Sequence, residues 1–131
     1  MVRATTLLSK AALAAPGSKQ ARETLPALAG DERILQLCNL EAIEQVQNWN
    51  TSFRPEVVVA YALRDVRIAE RAVHATGAAF RSKRKWYRLE FNCNLSPDLI
   101  DVVSFEFRVG EVIPETDLEV YGLPASDQSL D

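Results

Sequence analysis

The chain has 131 residues, 47% of them hydrophobic, and a formal net charge of −3. That length fits one domain able to bury roughly 65–70% of the surface its unfolded chain exposes. No run of about 20 consecutive apolar residues occurs, which excludes a membrane-spanning helix. The small net charge conceals an asymmetry: residues 54–88 carry nine basic and three acidic side chains, and residues 98–131 carry one basic and nine acidic. A dipolar chain of this kind steers an anionic partner to one side, or its two segments neutralise each other across a sheet, which is the plainer expectation.

At the N-terminus, Met1-Val2-Arg3 with Leu7, Leu8 and the small residues Ala11 to Ala15 resembles a signal peptide faintly. Ser9-Lys10 interrupts the apolar run that an export signal needs, so the segment reads as a helix of the domain. An exported form is expected to carry its targeting element upstream. This first helix covers residues 4–14 and stops at Pro16-Gly17. Ser18 is placed to cap a second helix reaching Leu28. Asp31 opens the third and strongest, which runs to Trp49, with Asp31 and Glu32 favourably placed at the positive end of its dipole. On it Leu35, Cys38, Ala42, Val46 and Trp49 form one apolar stripe.

After Phe53-Arg54-Pro55 the period changes from helical to alternating. Residues 57–63 predict a strand, 64–71 a loop or helical turn, and 72–80 a small-residue strand in which His74 shares a face with Thr76 and Phe80. The tip Arg81-Ser82-Lys83-Arg84-Lys85 leads into the clearest strand, where Tyr87, Leu89, Phe91, Cys93 and Leu95 alternate with polar residues. Ser96-Pro97-Asp98 marks a turn, and Val103, Phe105, Phe107 and Val109 alternate in the next strand. The fold class is α+β: N-terminal helices packed on one face of a four-stranded or larger antiparallel sheet. Residues 1–124 are expected to form a single domain and 125–131 a flexible acidic tail.

Both cysteines fall on core-facing positions, Cys38 on the helix stripe and Cys93 on the inward face of a strand. A helix packed on a sheet can bring them to bonding distance; two separate buried thiols fit the same pattern. A bridge would close a loop of roughly 55 residues and stabilise by about 4 kcal/mol.

Several ordered motifs resemble the domain-of-unknown-function family numbered 930, of alphaproteobacteria. They are residues 37–42 (LCNLEA), 58–62 (VVAYA), 77–82 (GAAFRS), 86–93 (WYRLEFNC), 104–107 (SFEF) and Ile113-Pro114. The resemblance spans Arg3 to Pro124 and implies a Cys38–Cys93 disulfide. It carries no activity with it. The family's frequent position behind a membrane anchor or export signal implies a periplasmic location, free or anchored facing the periplasm, with the cytoplasm as the alternative.

The chemistry visible in the residues is sparse. His74 is the lone histidine, which reads as a surface or satisfied side chain rather than a base, and no metal-ligand spacing surrounds it. Cysteines on apolar faces lack the electropositive setting of a nucleophile. Glu41 and Glu44 read as a solvated helix face. Gly77 and Gly110 stand alone, without a phosphate-binding glycine loop. No catalytic residue, metal site or cofactor is assigned.

The remaining candidate is a binding surface at the hairpin tip: Arg81, Lys83, Arg84 and Lys85 beside Trp86 and Tyr87. Cations mixed with aromatics suit an anionic lipid, a glycan or an envelope protein. Nucleic acid is not expected, given the negative net charge. An ordinary solvated hairpin is the plainer alternative. The functional expectation is a non-enzymatic cell-envelope binding or scaffolding domain. The alternatives are a small enzyme with a cleft between helix and sheet, and a cytosolic interaction protein with reduced thiols.

Overall fold

A computed structural model describes residues 1–15, 17, 19–24 and 30–124. Three helices, α1 (Ser9–Ala14), α2 (Lys19–Thr24) and α3 (Gly30–Trp49), precede most of the sheet. Its strands are β1 (Val2–Arg3), β2 (Pro55–Val59), β3 (Arg67–Ala69), β4 (Ala72–Ser82), β5 (Lys85–Leu95) and β6 (Val102–Val112). All pairings are antiparallel, in the order β1-β6-β5-β4-β2, with β3 also paired to β4. The α+β class expected from the sequence is the one observed, and the sheet of four or more strands has six.

One face of the sheet is covered by α3. Leu89, Phe91, Cys93 and Leu95 of β5, with Val102, Phe105 and Phe107 of β6, pack against Ile34, Leu37, Cys38, Ala42 and Val46. At the centre of this layer Cys38 and Cys93 form a disulfide, Cα to Cα 6.0 Å, that ties α3 to β5. By loop entropy it stabilises by about 4 kcal/mol.

The helix stripe is centred slightly differently from the sequence pattern. Ile34 and Leu37 join Cys38, Ala42 and Val46 as buried positions, Leu35 is half-buried, and Trp49 is 47% exposed because α3 ends there. Two further differences concern strands. Residues 60–63 leave the sheet after Val59, and the expected loop at 64–71 contains β3. The predicted first helix begins only at Ser9, because Val2 and Arg3 pair with Phe107 and Glu106 and the Ala4 N–H donates to the Phe105 carbonyl. An open strand edge recruits backbone that local propensity alone assigns to a helix. The expected Ser18 cap, the end of the second helix at 25–28 and the acidic tail at 125–131 lie outside the described residues.

In β4 the register slips between Ala75 and Ala78. This bulge puts Phe80 inward and leaves His74 on the opposite face, against the shared face read from simple alternation. Gly77 lies within the slip and lets the 60–64 segment pass close: a Cβ there would sit 2.5 Å from the Arg64 backbone nitrogen. The Leu63 N–H donates to the Gly77 carbonyl at 2.7 Å, so residues 60–64 close over the outer face. There a second cluster forms from Ala79, Trp86, Ile113, Leu118 and Leu123, with Val57, Val59 and Tyr121 packed against it. The Trp86 indole N–H donates to the Pro124 carbonyl at 3.0 Å. Residues 113–124 are therefore a structural flap rather than a loop leading to a tail.

Glu41 departs furthest from its sequence reading. It is fully buried on α3, not solvated. Its carboxylate accepts from the Leu8 N–H at 2.8 Å, the Ser9 N–H at 2.9 Å and the Gln45 carboxamide at 2.7 Å. Gln45 also donates to the Thr6 carbonyl at 2.7 Å. No side chain of α1 caps its own start; Glu41 does so from another helix, answering orphan N–H groups with a negative charge. Replacing Glu41 with Ala leaves these buried donors unmet and is expected to cost about 2–4 kcal/mol, measured by urea unfolding. Glu41→Gln keeps one acceptor and should lose less.

Partial burial raises the carboxyl pKa of the neighbouring Glu44, and the charge of Glu41 raises it further. A raised carboxyl pKa favours the fold in acid, and that contribution is lost as pH rises through the folded pKa. Glu44→Gln is therefore expected to raise the thermal midpoint at neutral pH. The gain should be small, since solvent screens the group, and should vanish in acid below the unfolded carboxyl pKa.

Candidate functional site

The β4–β5 hairpin turns through only two residues. Ser82 pairs with Lys85, and between them Lys83 and Arg84 have φ of 51° and 71°. Two central residues at positive φ are what a type I′ turn requires, a geometry that favours Asn-Gly. For residues with a Cβ the left-handed region costs about 1–2 kcal/mol each. This chain places two long cationic side chains there.

The register divides the six predicted binding residues among three environments. Lys83, Arg84 and Lys85 are exposed. Arg81 and Trp86 pair across the strands and face the flap, only 4% and 2% exposed. The sequence grouped them with the tip, but Trp86 is a core residue of the outer cluster and Arg81 is interior. Tyr87, paired with Phe80, lies half-buried on the inner face.

Tyr87 has different aromatic company from that expected. Its ring centroid is 5.0 Å from Phe53 and 5.3 Å from Phe80. Phe53 stacks on Trp49 at 6.3 Å, and Trp49 meets the edge of Phe107 at 5.9 Å. Val112, opposite Tyr87 on β6, is 47% exposed, as is Trp49. An aromatic platform thus continues from the end of α3 to the hairpin, with Lys85 two residues from Tyr87 on the same strand. Arg54, exposed beside it, donates its backbone N–H to the Ser82 hydroxyl at 2.8 Å. Sequence reasoning assigned Trp49 to the core stripe and gave Phe53 and Val112 no role. The available signal was Trp49 with Phe53 four residues later, straddling the end of the helix.

Among the described residues, ion pairs join Arg3 to Glu106, Lys19 to Glu23 and Arg108 to Glu90. None involves Lys83, Arg84 or Lys85, and the acids Glu115, Asp117 and Glu119 belong to the flap on the other face. The expected neutralisation of basic and acidic segments does not take the form of ion pairs at the tip.

The cysteines and His74 have partners within the fold. The disulfide leaves no free thiol. His74 lies on the outer face, its Nδ1 2.9 Å from Asn92 Oδ1. Asn92 donates to Glu106 at 2.9 Å, so a polar chain crosses β4, β5 and β6 and continues to Arg3. An open groove of about 420 Å³ lies beside it, lined by Arg3, Thr5, Asn92, Asn94, Ser104 and Glu106. Among the described residues no group of three or more His, Cys, Asp or Glu side chains is assembled to hold a metal ion. No described helix is long and apolar enough to cross a membrane.

Fold and surface together define a disulfide-stapled α+β domain that presents a basic hairpin beside an aromatic cluster in which Trp49 is exposed. A family model described as Domain of Unknown Function (DUF930) matches residues 25–123, and the chain belongs to that family. The ordered motifs from Leu37 to Pro114 carry the same assignment. No curated protein and no solved structure matches the chain.

The turn itself yields a direct test. Lys83→Asn with Arg84→Gly gives the residues that a type I′ turn favours. The double variant should gain about 1 kcal/mol of stability in urea unfolding.

Proposed function

We propose that this chain is a non-enzymatic binding or scaffolding domain of the cell envelope, working in the periplasm or at its membrane face. Its contact with an anionic ligand is the tip Lys83-Arg84-Lys85. The observation that carries this reading is the turn: two positive-φ positions are occupied by exposed cations, and no ion pair among the described residues involves them. A turn selected for folding alone would favour Asn-Gly there. Sacrificing stability for a displayed charge is the pattern of a functional surface.

The disulfide supports the compartment, since such bonds persist where the environment is oxidising. The engagement of Glu41 by two backbone N–H groups, of His74 by Asn92 and of both thiols by each other supports a non-enzymatic role.

The tip is tested by a Lys83→Gln, Arg84→Gln, Lys85→Gln variant. Arg81 is left in place because its burial would confound the result. Retention on an immobilised sulfated glycan and on anionic vesicles should be lost, with the thermal midpoint unchanged. Unaltered retention makes the tip an ordinary solvated turn. Compartment is tested by alkylating unfolded protein isolated from its native host: no labelled cysteine before reduction and both after supports an oxidising location. Two labelled without reduction would replace the envelope reading with a cytosolic interaction domain.

A further inference from the structure

We infer that the hairpin end of the inner face is a docking surface for an anionic phospholipid bilayer, with the cations meeting headgroups and Trp49 entering the interface. This inference rests on the proposed tip contact and specifies its ligand.

Three observations carry it. First, apolar and cationic groups are adjacent on one face. Trp49 and Val112 are each 47% exposed, Phe53 and Tyr87 bridge them, and Lys85 continues the strand from Tyr87 to the tip. Indole and phenol rings favour the headgroup level of a bilayer, where an apolar body and a polar edge are both satisfied. Second, the charge is directional. Lys83, Arg84 and Lys85 are exposed at the tip with Arg54 alongside and outnumber the exposed acids Glu56 and Glu111 at this end of the sheet, whereas Glu115, Asp117 and Glu119 belong to the flap over Trp86 on the opposite face. A molecule charged in this way orients itself on an anionic plane, each nearby cation strengthening binding about fivefold. Third, the surface is made from a hairpin tip and a helix end rather than the walls of a recess. Two recesses of the molecule, beside Arg3 and Ser104 and between Arg64 and Gly110, lie elsewhere. A small anion or a single sugar is held by a concave site; a projecting tip with an aromatic margin matches an extended plane.

The two tryptophans provide the readout. Trp86 is buried and bonded to Pro124, so changes in emission report on Trp49. The whole chain is mixed with vesicles of phosphatidylcholine alone, of phosphatidylcholine with phosphatidylglycerol, and of the same mixture with brominated acyl chains. The expected result is flotation with the phosphatidylglycerol vesicles only, a blue shift of emission and quenching by bromine. Trp49→Gln should weaken vesicle binding about tenfold or more while leaving retention on a soluble sulfated glycan intact. Val112→Asn, on an exposed edge-strand position, should weaken it less and serves as a second variant if Trp49→Gln lowers the thermal midpoint.

Full vesicle binding by both variants without bromine quenching overturns the inference, yet leaves the tip contact standing if the Lys83, Arg84, Lys85 variant still loses binding. Binding of the glycan that depends on Trp49, with no flotation, overturns it in favour of a glycan. Undiminished flotation of the Lys83, Arg84, Lys85 variant defeats the tip reading itself.

Discussion

The covalent link from Cys38 to Cys93 determines where the rest of α3 can point. Both sulfurs are fully enclosed, and the bond joins the middle of the long helix to a central strand. Rotation of the helix about its axis is thereby removed as a degree of freedom. Glu41, almost one turn further on, then faces the N-terminal segment, where it caps α1. Trp49, eleven residues beyond Cys38, returns after about three turns to nearly the same helix face. It emerges past the packed layer and seats on Phe107 and Phe53. One bond thus orients both the buried carboxylate that holds the N-terminus and the exposed aromatic ring at the other end.

The sheet carries cores on both faces, and the transition between them is local. At Gly77 the β4 strand bulges and Arg64 passes close over its backbone. Beyond that point β4 is buried on both sides, by α3 on one and by residues 57–63 and 113–124 on the other. The hairpin is therefore densely packed up to Ser82, although its two turn residues are exposed. In the proposed contact, a packed base beneath the tip would reduce the loop ordering that binding requires.

Much of this was legible in the chain. The period-2 pattern from Tyr87 to Leu95, the helical stripe around Cys38 and the placement of both cysteines on core faces are local signals, and all three hold in the fold. Elsewhere local patterns misled. Simple alternation placed His74 with Phe80 because a bulge has no side-chain period of its own. Arg81 and Trp86 looked like members of a surface cluster because sequence adjacency says nothing about the flap that covers them. Glu41 looked solvated because carboxylates are rarely buried without partners, and its partners lie 32 and 33 residues earlier.

The sequence by itself determined the class of fold, the long helix, the principal strands, the family and the presence of a concentrated positive charge near residue 84. These follow from short-range periodicity, composition and motif order. Tertiary structure alone decided that the charge sits on a positive-φ turn, that Trp86 is interior while Trp49 is exposed, and that the aromatic partner of the tip comes from the end of α3. The physical reason is that exposure belongs to a surface created only when distant segments pack. An alternating strand shows which residues share a face, but not whether a flap some thirty residues later will cover that face.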